Sequence, residues 1–114
     1  MSRPPRFPGY KKCLALMRKH DPHLQEEGFH ALLPHVAEHV DALIRDFRVE
    51  ADRGLRAWLL ELIAEAKSPK AFDLLVDQLR LSDDLLRPHA IHGLQLLDTH
   101  EARKVLFEAG VSTR

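Results

Sequence analysis

The sequence predicts an all-α fold, a solenoid of about seven antiparallel helices, and two observations carry that expectation. The first is an internal repeat. Asp21, Asp52 and Asp83 stand 31 residues apart, and each opens a twelve-residue segment of one pattern: DPHLQEEGFHAL, DRGLRAWLLELI and DDLLRPHAIHGL. A period of this length marks one supersecondary unit stacked on copies of itself, each burying a face that it cannot bury alone. The second is the spacing of apolar residues, which recurs at three and four positions and nowhere alternates with period two, so helices are expected and strands are not.

Each element has its own signals. Residues 1–8 hold three prolines and two arginines, a composition that reads as a mobile basic arm. From Gly9, the residues Tyr10, Cys13, Leu14 and Met17 recur at helical spacing, giving a first short helix to about Lys19. Asp21 followed by Pro22 supplies an N-cap and a proline where its missing N–H is no loss, so a second helix runs to about Leu33 with Leu24, Gly28, Ala31 and Leu32 on its stripe. Pro34 stops or kinks it. A third helix is expected from His35, with Val36, Val40, Leu43, Ile44 and Phe47 as its apolar face. Residues 50–54 read as a turn. Leu55, Leu59, Leu62, Ile63 and Ala66 then mark a fourth helix. Ser68 with Pro69 caps a fifth, which buries Phe72, Leu75, Val76 and Leu79. Ser82, Asp83 and Asp84 cap a sixth with Leu86, Ala90, Gly93, Leu94 and Leu97 as its stripe, and Thr99 caps a last one that ends at Gly110. Links of two to five residues predict antiparallel neighbours, and the small residues Gly28, Ala31, Ala90 and Gly93 predict close helix pairs. One domain is expected over 9–110, with 111–114 as a tail.

Charge narrows the partner. Seventeen basic and seventeen acidic residues cancel, yet residues 1–20 carry six bases and no acid, leaving eleven bases against seventeen acids in 21–114. An acidic body lacks the basic stripe of a duplex binder, so nucleic acid is disfavoured except through the basic N-terminal arm. The lone Cys13 provides neither an internal disulfide nor a cysteine-built zinc site, and on its helix it reads as a packed thiol. No apolar run reaches the roughly 20 residues of a membrane span and no secretory signal is recognisable, so no membrane contact and a cytoplasmic location are expected.

The repeated residues Asp52, Leu55, Arg56, Leu59, Leu62 and Ile63, and again Asp83, Leu86, Arg87, Ala90, Gly93 and Leu94, resemble HEAT and phycobilisome-lyase-type HEAT-like repeats over residues 21–109. The resemblance implies a right-handed α-solenoid. It also implies structural roles for Asp21, Asp52, Asp83, Leu24, Leu55, Leu86, Arg56 and Arg87, with Asp and Arg forming a ladder between adjacent copies. Gln25 stands where the first copy should have the arginine. Protein scaffolding or inhibition is the commonest role that the resemblance implies. Its di-iron hydroxylase branch places His-Glu pairs just after the Leu-Arg step, where this chain has Glu26-Glu27, Ala57-Trp58 and Pro88-His89.

Two groups of polar residues invite a chemical reading. His35-Val36-Ala37-Glu38-His39 matches H-x-x-E-H, in which two imidazoles one helical turn apart hold zinc and the carboxylate serves as base. A peptidase further needs a third ligand, an oxyanion stabiliser and an edge for the substrate chain, so His35 and His39 are read as a helix face and no metal or cofactor is expected. The second group comes from the repeat. Glu27 and His30, Trp58 and Glu61, and His89 and His92 occupy matching places off the buried stripes, with Glu65 extending the row, and in HEAT-like solenoids that layer lines the concave surface. Trp58, the chain's single tryptophan, is the expected anchor. The expectation is a non-enzymatic adaptor, scaffold or inhibitor that binds another protein with a basic surface, self-association through a terminal helix being an option. Its rival is a metal-dependent hydrolase or nucleic-acid-acting enzyme on the same scaffold.

Overall fold

The computed structural model describes residues 6–81 and 83–111. Positions 1–5 of the expected arm, Ser82 of the expected cap and 112–114 of the expected tail lie outside them. The described residues form seven α-helices and two 3-10 segments, without a strand. The helices are α1 (Tyr10–Met17), α2 (Pro22–Leu32), α3 (Val40–Val49), α4 (Arg53–Glu65), α5 (Phe72–Arg80), α6 (Arg87–Leu97) and α7 (His100–Glu108). Spatial proximity groups the chain into two compact units, residues 1–35 and 36–114.

The repeat is visible in the bonds that open its helices. The Asp21 carboxylate accepts from the amides of His23 at 2.9 Å and Leu24 at 3.4 Å. Asp52 does the same for Gly54 at 2.9 Å and Leu55 at 3.3 Å, and Asp83 for Leu85 at 2.8 Å and Leu86 at 3.3 Å. The first two satisfy amides that the first turns of α2 and α4 leave without a partner, and the third serves the turn that leads into α6. The position four residues after the aspartate has a second shared task, which is to reach back to the end of the preceding helix. Gln25 donates to the Lys19 carbonyl, Arg56 to the carbonyls of Phe47 at 3.2 Å and Glu50 at 3.1 Å, and Arg87 to that of Leu79 at 3.4 Å. The Gln25 departure therefore keeps the latch while changing its chemistry.

The first unit is a hairpin of α1 on α2, closed over Cys13, Leu14, Met17, Phe29 and Leu32. Gly28 permits it. A Cβ there would lie 2.5 Å from the Cys13 carbonyl oxygen and 2.8 Å from Leu16 Cβ. Phe29, which the spacing argument passed over, is buried, whereas Leu24 and Ala31 are half-exposed. Burial pushes the Cys13 thiol above its ordinary value, in keeping with a packed side chain.

In the second unit α4 packs on α3 and α6, and α6 on α5 and α7. The apolar stripe expected of α4 is too narrow. Ala57, Leu60 and Ala64 are buried along with Leu59, Leu62 and Ile63, because a helix with neighbours on two sides has little face left for water. Gly93 lets α6 approach closely. A Cβ there would meet Leu75 Cδ2 at 2.8 Å and Ala64 Cβ at 3.1 Å.

Four boundaries differ from expectation, three of them at prolines; at one, Ser68 with Pro69 opens the 3-10 segment Pro69–Ala71 and α5 starts only at Phe72. Pro34 has no N–H to continue the ladder of α2, and residues Leu33–Glu38 tighten into a 3-10 segment, so α3 starts at Val40 and not at His35. Pro88 interrupts the ladder in the same way, leaving residues 84–86 as a turn and starting α6 at Arg87. Gly54 belongs to α4 and not to the turn before it, since the Asp52 cap fixes the start of the helix at Arg53. Asp98 closes α6 in the left-handed region at φ 50°, where its carbonyl and carboxylate receive Arg103 Nη1 at 2.7 and 2.8 Å. Gly110, at φ 79°, ends α7.

Candidate functional site

Trp58, Glu61 and Glu65 stand at three- and four-residue intervals on α4, so they share a face of that helix. That face meets the flank of α6. Glu61 Oε1 lies 3.8 Å from His89 Nδ1, and Glu65 Oε2 lies 2.8 Å from His92 Nε2. The second contact is a hydrogen bond and the first is a looser pair, so two acid–imidazole rungs cross between the helices one turn apart. All four side chains keep contact with water, from 28% exposure at His89 to 50% at His92. Trp58 is half-buried, one helical turn before Glu61 on the same helix. The expected residues of the second unit thus gather on one surface. Glu27 and His30 are exposed on α2 in the first unit, with the His30 ring 5.3 Å from Phe29 and edge-on to it.

The H-x-x-E-H segment does not form a turn of α-helix. His35 and Glu38 belong to the 3-10 segment and His39 is the residue before α3. The His35 ring stacks on Phe7, centroids 4.0 Å apart and planes inclined by 16°. The zinc reading required both imidazoles on one α-helical face, and the missing N–H of Pro34 removes that premise. Among the described residues, no three His, Cys, Asp or Glu side chains are placed to share a metal ion.

The tie between copies takes a different route from the expected Asp–Arg ladder. Asp52 serves its own helix, Arg56 and Arg87 serve carbonyls, and Asp83 receives Arg53, the residue just after the cap of the preceding copy. The pair is two-pronged, Nη2 to Oδ1 at 2.7 Å and Nε to Oδ2 at 3.2 Å. The hydrogen bonds of Arg53, joined by those of the Leu85 and Leu86 amides, hold the Asp83 carboxyl down to about 2. Sequence reasoning missed Arg53 because the only signal was its separation from Asp83, one residue short of the period. A further bridge, Lys70 Nζ to Asp41 Oδ2 at 3.1 Å, ties the 3-10 segment Pro69–Ala71 to α3.

Comparison with known proteins finds no family model, no curated protein and no solved structure that matches the chain. No helix among the described residues is long and apolar enough to cross a membrane.

Proposed function

We propose that the chain is a non-enzymatic protein-interaction module, a right-handed HEAT-like solenoid whose row Glu27, His30, Trp58, Glu61, Glu65, His89 and His92 grips a partner protein with a basic surface. The observation that carries this reading is the set on α4 and α6: a half-buried tryptophan followed along α4 by two carboxylates, one hydrogen-bonded to an imidazole and the other in a looser acid–imidazole pair. Aromatic anchors dominate interface energetics, and carboxylates fixed in place lose little freedom when a lysine or arginine arrives. The three matched aspartate caps and the three backward latches support the repeat architecture. The acidic balance of residues 21–114 supports a basic partner.

The test is affinity capture from the source cells with wild-type chain, Trp58→Ala, and the charge reversal of Glu61 and Glu65 to Lys. Both variants should lose the partner while far-UV circular dichroism stays unchanged. Recovery of the same partner by Trp58→Ala would remove the row from consideration. Elemental analysis for zinc and iron, with a salt titration of oligonucleotide binding, separates this reading from the enzymatic rival. A stoichiometric metal that is lost on changing His89 or His92 would favour the rival.

A further inference from the structure

The 31-residue register allows the last copy to be read against the middle one. In the middle copy Arg56 is fully engaged: Nη1 donates to two carbonyls, and the guanidinium lies 4.2 Å over the ring of Phe47. One period later Arg87 keeps a single bond from Nε, at 3.4 Å, which is long for N–H···O. The residues that would have occupied it have changed. Gln78 stands where the middle copy has Phe47, and Arg80 where it has Val49. The aromatic platform is gone and a second guanidinium has been added at the end of α5. Gln78 is 5% exposed and its Oε1 accepts no hydrogen bond, so the substitution contributes nothing evident to packing at that place.

Arg80 and Arg87 line one open hollow of about 340 Å³, together with Leu79, Val105, Glu108 and Ala109. Neither guanidinium forms an ion pair with a carboxylate among the described residues, although Glu108 lines the same hollow.

We propose that this hollow binds an organic monocarboxylate with a short apolar body, its carboxylate on Arg80 and Arg87 and its body against Leu79, Val105 and Ala109. The planar fork of arginine matches a carboxylate with two parallel hydrogen bonds, and two arginines line this hollow. The volume falls within the range of small-molecule sites. Glu108 sets the charge of the ligand. With two guanidiniums and the Glu108 carboxylate in its lining, the hollow carries one net positive charge, which a monocarboxylate neutralises and a phosphate dianion would overshoot. The apolar part of the lining favours a ligand with a short hydrocarbon part over a bare inorganic anion. A free small acid and the C-terminus of a peptide present this same chemistry. The site is separate from the row on α4 and α6 and does not depend on it.

The experiment is an NMR titration of the full ¹⁵N-labelled chain with hexanoate, hexylamine, inorganic phosphate, and one apolar hexapeptide carrying either a free or an amidated C-terminus. Hexanoate should shift the amide signals of Leu79, Arg87, Val105 and Ala109 saturably, and hexylamine should not. Tighter binding of the free-acid peptide than of hexanoate assigns the peptide as source, and the reverse assigns a small acid. Arg80→Gln, at a side chain that makes no hydrogen bond or ion pair among the described residues, should weaken binding about tenfold or more, as loss of a charge-assisted pair does. Glu108→Gln should tighten it several-fold. The proposal is overturned by the absence of a saturable shift at these residues, by an equal response to hexylamine, by phosphate binding more tightly than hexanoate, or by unchanged affinity in Arg80→Gln with helicity intact.

Discussion

Asp83 shows how one side chain can carry two tasks. Its Oδ1 caps the turn before α6 and receives Arg53 Nη2, and its Oδ2 takes Arg53 Nε. The folded-state value of about 2 lies below the ordinary 3.8, so the charged form favours the fold. Its contribution is complete above about pH 4 and fades as the pH falls through about 2. Arg53→Gln should therefore flatten the acid limb of a thermal-midpoint-versus-pH curve between those limits, and the Asp83 carboxyl should titrate nearer 3.8 when followed by carbon NMR. An unchanged acid limb in that variant would show that the pair contributes nothing to folding. Gln78 is the opposite case, a buried amide with an unpartnered oxygen. Replacing it with methionine, of similar shape, removes a polar atom that the fold leaves unsatisfied, and should raise stability by about 1 kcal/mol in urea denaturation. A loss of stability would mean that the amide has a polar task in the fold.

At the scale of helices, the two glycines at close approaches are predicted to respond unequally. Gly28→Ala drives a Cβ against backbone, the Cys13 carbonyl oxygen at 2.5 Å, which cannot move without shifting α1. Gly93→Ala presses first on the ends of the Leu75 side chain, at 2.8 and 3.0 Å, which can rotate. Overpacking costs about 1–3 kcal/mol, and alanine recovers up to about 1 kcal/mol as the better helix former. Urea midpoints should rank wild type, then Gly93→Ala, then Gly28→Ala, with the last losing more than about 2 kcal/mol. Equal midpoints for the two variants would refute the ranking. These same elements show what a sequence reveals. Asp21, Asp52 and Thr99 were legible because a cap needs only its own few residues, and all three open the expected helices; Ser68 caps the 3-10 segment before α5, and Asp83 the turn before α6. The rungs Glu61–His89 and Glu65–His92 were legible as far as their placement on one row, since the period aligns them. The starts of α3 and α6 were not, because a proline near a helix start permits several ladders and packing chooses among them. The wide buried face of α4 and the partner of Arg53 were hidden for a related reason: each depends on which helices become neighbours, and spacing along one helix does not encode that.

For the molecule as a whole, the two units differ in what they can sustain alone. Residues 36–114 contain five helices and the greater part of the buried side chains, among them Phe47, Leu59, Leu60, Ile63, Leu75, Leu94 and Leu106. Residues 1–35 contain one helical hairpin, and chains below about 40 residues seldom fold without a disulfide, a metal or a partner. A fragment of residues 36–114 should unfold cooperatively in urea with near-native helicity per residue, and the peptide 1–35 should be largely unstructured in water. A helical, cooperatively melting 1–35 would contradict this.

The backward latches have a consequence of their own. Gln25 reaches six residues back and Arg87 eight, so each latch is sewn from thread that lies beside it in the chain. A gene segment encoding 31 residues from one aspartate to the next would carry its stitching with it. Such a cassette can be duplicated or lost with the seams on either side still closing. Lengthening by copying is then a short evolutionary step, and each new copy is free to exchange its fourth-place side chain for another use.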